Sequence, residues 1–143
     1  PLIEKLNERA LPNITTQSAD IRSLSFPKDS FDRILWYAGI QYLSEPDIIL
    51  MLRDIRKWMD SDGLLFIGDI PDRMRMWNYF NNDNRVNAYA DSLVEGKPII
   101  GTWLDRKWLL NIISASGFSK VDIVEQDKNL IYSDFRYDCI ART

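Results

Sequence analysis

The chain of 143 residues contains no histidine and a single cysteine, Cys139. That composition removes histidine general bases, Ser-His-Asp triads, histidine-ligated metals and thiolate-rich metal centres, so no metal site is expected. The side chains left to handle a proton at a convenient place are Asp69, Tyr37 and Tyr42. Asp69 ends the run LLFIGDI, next to Pro71. A carboxylate there can orient or deprotonate a hydroxyl or an amine, or simply cap the following segment. Asp20 closes the stretch TTQSAD, where it can accept a hydrogen bond from a ligand or cap a turn. Trp36 and Tyr37 end the run FDRILWY and are followed by Ala38-Gly39, small residues that let a backbone approach closely. The aromatic pair either fills the core at a sheet edge or walls a ligand crevice.

The elements that must hold these residues follow from periodicity. Leu2 to Leu11 reads as the end of a helix, with Leu2, Ile3, Leu6 and Ala10 on one face and Pro12 as its stop. Asn13 to Ala19 reads as a short strand leading to Asp20, and Phe31 to Trp36 as another. Ser44 caps a helix whose stripe is Ile48, Ile49, Leu52, Ile55 and Met59, closed by Asp60-Ser61-Asp62-Gly63. The unbroken run from Leu64 to Ile70 predicts a strand buried on both faces, with Leu65, Phe66 and Ile67 in the core. Residues 72–100 lack a clean period and read as an inserted cover, with MRMWNYFNNDNRVNAY (Met74–Tyr89) suited to a small-molecule lid. A helix from Asp105 to Ser116 follows, stopped by Gly117, then strands at Lys120–Glu125 and Tyr137–Arg142. No helix separates these last two strands, which predicts an antiparallel pair. The whole chain reads as one α/β domain.

Bulk properties narrow the function classes. The net charge is −3, which gives no electrostatic case for a nucleic-acid partner. No apolar run is long enough for a membrane span, and the single cysteine suits a reducing compartment, so a cytoplasmic protein is expected.

The order and the motifs together resemble the class I S-adenosylmethionine-dependent methyltransferases. The stretch ADIRSLSFPKDSFDRILWYAGIQYL looks like the family's third strand, its acidic residue and its fourth strand. MLRDIRKWMDSDGLLFIGDIP resembles the helix and fifth strand that follow. WLLNIISASGFSKVDIVEQ resembles the late helix with its Gly-Phe pair and sixth strand, and FRYDCIAR the closing strand. The resemblance implies a three-layer Rossmann-like sheet, mostly parallel with an antiparallel closing strand, and S-adenosylmethionine as cofactor. It implies that Asp20 and Ile21 serve the adenine and that Trp36, Tyr37 and Ala38 line the methionine–ribose crevice. Asp69 and the cover would face a small-molecule acceptor, methylated on O or N, with Tyr37 and Tyr42 as further base candidates.

The sequence also departs from the pattern. The family's glycine-rich loop and the acidic residue of its second strand have no counterpart, and Asp62 stands where a second glycine is usual. The expectation is a domain whose N-terminal strands are missing, completed by further chain, by a homodimer or by strand exchange. The alternative is a truncated or degenerate domain that serves binding or assembly. A nucleotide-dependent reductase is a weaker reading, because its sheet usually continues in parallel.

Overall fold

The computed structural model describes residues 2–9 and 11–143. Pro1, Ala10 and the side chain of Leu2 lie outside the described part, including two members of the stripe expected on the first helix. Helix α1 spans Leu2–Glu8, and Ile3 and Leu6 are half-buried. A 3₁₀ turn at Ile21–Ser23 precedes strand β1 (Phe31–Tyr37), and a second at Ile40–Tyr42 precedes helix α2 (Glu45–Trp58). Strand β2 (Met59–Pro71) leads into the cover, built from α3 (Met76–Tyr79) and α4 (Asp83–Val94). Helix α5 (Arg106–Ala115) and strands β3 (Lys120–Glu125) and β4 (Arg136–Arg142) complete the chain.

The sheet order is β1-β2-β4-β3. β1 pairs parallel with β2, and β4 pairs antiparallel with both β2 and β3. Three strands therefore run one way and only β4 runs the other. Because β4 is inserted between β2 and β3, a largely codirectional sheet contains one parallel pairing and two antiparallel ones. The expected antiparallel closing pair is present.

Helices α2 and α5 lie on one face. Ile48, Met51, Leu52, Ile55 and Trp58 of α2, with Leu109 and Ile113 of α5, share a core with Trp36, Leu65, Ile67, Cys139 and Ala141. Both helices are capped as their sequences suggest. The Asp47 N–H donates to Ser44 Oγ at 3.3 Å and the Trp108 N–H to Asp105 Oδ1 at 2.8 Å. Cys139 sits in this core, and burial pushes its thiol up to about 12, with a smaller contribution from the Asp122 charge. Native protein at pH 8 is therefore expected to leave a disulfide thiol probe unreacted, and one equivalent to react once urea unfolds the chain. Rapid labelling of native protein would contradict this placement.

The structure corrects several expectations. Residues 14–20 form no strand. β1 is the edge of the sheet, so no neighbouring strand offers this segment a ladder. Helix α2 stops at Trp58, and Met59 to Gly63 already belong to β2, offset by a register shift opposite Phe31–Arg33. β2 is not buried evenly on both faces: Leu65 and Ile67 are buried, whereas Leu64 and Phe66 are half-buried. The second face of the sheet lacks a helical layer among the described residues, which leaves Leu35 69% and Tyr37 55% exposed.

The cover has its own small aromatic core of Met76, Phe80, Trp103 and Phe135, with Tyr79 and Tyr89 packed against it. A polar clamp ties its base to the sheet. Arg106 Nε donates to Asp72 Oδ2 at 2.8 Å, and Arg106 Nη1 and Arg75 Nη1 reach Glu125 at 2.5 and 2.9 Å. The Arg106 guanidinium holds the Glu125 carboxyl below the usual carboxylate range. The Glu125 arm of the clamp thus contributes above that range and is lost as pH falls through the lowered value, and this arm is modest because Glu125 is solvent-screened.

Candidate functional site

The parallel pairing of β1 with β2 ends at one level, while β2 itself runs on to Pro71 along β4. Tyr37 pairs with Gly68, so Ala38 and Asp69 are the next residues on each strand. Both have left-handed backbones, φ 50° at Ala38 and φ 65° at Asp69, which non-glycine residues rarely adopt. The Ala38 N–H donates to the Gly68 carbonyl at 3.0 Å, tying the two ends together. Ligands of open α/β sheets bind beyond the carboxyl ends of their strands, where these turns lie.

A trough of about 560 Å³ opens beside the end of β1, lined by Asp20, Ile21, Leu35, Trp36, Tyr37 and Tyr42 among others. The sequence-predicted residues Asp20, Ile21, Trp36, Tyr37 and Tyr42 are thus brought together. Trp36 answers to both readings given to it, being buried in the main core while bordering the trough. Ala38 does not line the trough. It turns the chain, and its carbonyl accepts from Gln41 Nε2 at 3.1 Å. Tyr42 shares the wall with Tyr37 and is well exposed.

Asp20 caps the 3₁₀ turn and is engaged by its neighbour. Its Oδ1 accepts from the Arg22 N–H at 2.9 Å, and Oδ2 accepts from Arg22 Nη2 at 2.6 Å. These bonds hold its carboxyl down at about 2, so it is ionised throughout the physiological range. Both side chains are solvent-exposed, which leaves Arg22 free to yield to a ligand donor.

Asp69 lies apart from the trough lining. Opposite β4 the ladder skips: Ile67 pairs with Cys139 and Ile70 with Tyr137, so Gly68 and Asp69 together face Asp138. This is a β-bulge, a device that re-aims a side chain. The Asp69 N–H donates to Asp138 Oδ1 at 2.9 Å, and Arg136 Nη1 donates to both the Asp69 carbonyl and Asp69 Oδ2 at 2.7 Å. Sequence reasoning missed Arg136 and Asp138. The alternation in YDC was the available signal, since burying Cys139 turns Asp138 to the opposite face.

Comparison with known proteins agrees with this architecture. Residues 1–63 match a family model described as a methyltransferase domain. The chain is 34% identical over 76 residues to (S)-coclaurine N-methyltransferase of Thalictrum flavum subsp. glaucum, covering 53% of this chain and 20% of that protein. Among solved structures it resembles a candidate O-methyltransferase from Nostoc punctiforme PCC 73102, with TM-score 0.71, 16% identity and coverage of 99% of this chain and 41% of that one. It also resembles the 1,6-didemethyltoxoflavin-N1-methyltransferase of Burkholderia thailandensis, solved with bound 1,6-didemethyltoxoflavin and S-adenosylhomocysteine. There the TM-score is 0.68 at 14% identity, over 100% of this chain and 56% of that one. The chain therefore spans a fifth of the curated relative and roughly half of these neighbours. The N-terminal segment thus matches a methyltransferase domain, and the fold of the whole chain resembles that of solved methyltransferases.

Proposed function

We propose that this domain takes part in methyl transfer from S-adenosylmethionine to an O or N atom of a small acceptor. The observation that carries the reading is the trough at the end of β1, where the β1–β2 pairing stops and each of the two segments has a left-handed residue. The residues present fit the adenosine side of the cofactor. Asp20 supplies an ionised acceptor for an exocyclic amine, and the Ile21 N–H, first in its turn, has no carbonyl within that turn to bond. Leu35 and Ile21 give apolar walls, and Tyr37 and Tyr42 present aromatic faces to a cation. The cofactor, when bound, supplies an electrophilic methyl group on its sulfonium. The chain's own part is to hold reactants in line and keep water out, which supplies much of the acceleration without a strong base. Asp69 and the cover stand on the acceptor side in this reading. The relatives' names support a small acceptor: one is named for (S)-coclaurine and another for 1,6-didemethyltoxoflavin.

The test is transfer of radiolabelled methyl from S-adenosylmethionine to a panel of arylalkylamines and phenols by the full chain. Asp20→Ala is expected to weaken cofactor use by about tenfold, the scale of one charge-assisted hydrogen bond. Unchanged cofactor use in that variant would remove Asp20 from the site.

One observation favours a second reading, in which the domain serves assembly. The outer edge of β1 has no partner strand among the described residues, and exposed unpaired edges recruit strands. Sedimentation showing a dimer without transfer activity would support it, and an active monomer would sink it.

A further inference from the structure

The arrangement around Asp69 goes further than the fold requires. Its left-handed backbone is held from three sides. Asp138 takes its N–H, while Arg136 takes its carbonyl and one carboxylate oxygen. Asp138 is itself fixed, because Gln126 Nε2 donates to the same Oδ1 at 2.9 Å. Arg136 is 8% exposed and lies against the rings of Tyr132 and Phe135, 5.3 and 5.7 Å from their centroids. A buried guanidinium locked by two rings cannot follow a moving carboxylate. Strained residues that their surroundings over-determine concentrate at functional sites. Among the described residues no group donates to the remaining oxygen, Oδ1.

We propose that Arg136 and Asp138 are positioning residues that fix the Asp69 carboxylate, so that its Oδ1 accepts a hydrogen bond from the N–H or O–H of the methyl acceptor. The assignment rests on the methyl-transfer reading and deepens it. With Oδ2 engaged by Arg136, Oδ1 is the oxygen left to accept, so Asp69 orients the acceptor's lone pair toward the methyl group. The methyl–sulfur bond breaks as the new bond forms, S-adenosylhomocysteine leaves, and the acceptor's proton passes to solvent. The acceptor class is thereby narrowed to molecules that keep a hydrogen on the methylated atom or beside it: primary and secondary amines, phenols and alcohols.

The experiment measures acceptor kinetics and S-adenosylhomocysteine binding for wild type, Arg136→Met, Arg136→Lys and Asp138→Leu, with folding followed by circular dichroism. Arg136→Met is expected to lower kcat/KM for the acceptor by about tenfold or more while the S-adenosylhomocysteine Kd stays within about twofold. Arg136→Lys should recover most of the loss, since an ammonium can still reach both oxygens. If Arg136→Met does not fold, Asp138→Leu carries the test, because it frees the Asp69 N–H and leaves the ion pair in place. Folded variants with acceptor kinetics like wild type would overturn the assignment alone. A wild type that neither binds S-adenosylhomocysteine nor transfers methyl would overturn the methyl-transfer reading, and the assignment with it.

Discussion

Asp72→Ala is expected to destabilise the domain by about 3–5 kcal/mol, the scale for removing one partner of a buried ion pair. Asp72 is 1% exposed and does two jobs. Its Oδ2 accepts from Arg106 Nε at 2.8 Å, and its Oδ1 accepts from the Met74 N–H at 3.0 Å, capping the turn that starts the cover. Alanine leaves the Arg106 guanidinium facing the Tyr137 ring with half its charge pairing gone. It also leaves an uncapped turn. For a domain of this size the loss corresponds to a melting temperature roughly 10 °C lower. Asp72→Asn should lose less, since an amide keeps the cap. A thermal melt of both variants checks this, and an alanine variant melting within a degree or two of wild type would show that the clamp carries little stability.

The second large effect is expected at Gly101. A Cβ there would lie 2.2 Å from the Gln41 carbonyl oxygen, and the residue has φ 90°. The neighbouring atom is backbone, so no rotamer change relieves the clash. Left-handed strain and overpacking together give a cost of about 3 kcal/mol or more for Gly101→Ala. Gly96 is the internal control. It also has positive φ, but nothing lies within 4 Å of the added methyl, so only the strain of about 1 kcal/mol should appear. Equal urea midpoints for the two variants would contradict this. Gly101 bears on the site as well. The Thr102 N–H donates to the Gln41 carbonyl at 2.8 Å and Thr102 Oγ1 to the Leu43 carbonyl at 3.0 Å. Tyr42 and Leu43 form part of the trough wall, so moving this turn should also weaken cofactor binding.

What the sequence revealed depended on whether local pattern or distant neighbours decided the outcome. The α2 and α5 helices were legible because caps and apolar stripes are local. Ser44, Asp105 and Gly117 all sit where their side chains or backbone freedom suggest. The Asn13–Ala19 strand failed because pairing is not local: a strand needs a neighbour, and β1 is the edge. Phe66 was expected in the core by its apolar run, but parity puts it on the less covered face beside Tyr37, over Gly68. Asp20 and Ile21 were named through the family resemblance and Trp36 and Tyr37 through their place at the end of β1; the structure puts all four on one trough, although no strand leads to Asp20. The roles of Arg22, Arg136 and Asp138 were hidden. A charge in a sequence does not show which distant backbone group it will bind. Asp69 was expected to end its strand, but β2 continues to Pro71 and the residue sits at a bulge set against β4, a strand nearly seventy residues away.

The most direct measurement is a calorimetric titration of S-adenosylhomocysteine into the full chain and its Asp20→Ala variant. Saturable one-to-one binding that weakens by about tenfold in the variant is expected. Absence of binding to the wild type, or binding that Asp20→Ala leaves unchanged, would contradict the placement of the cofactor in the trough.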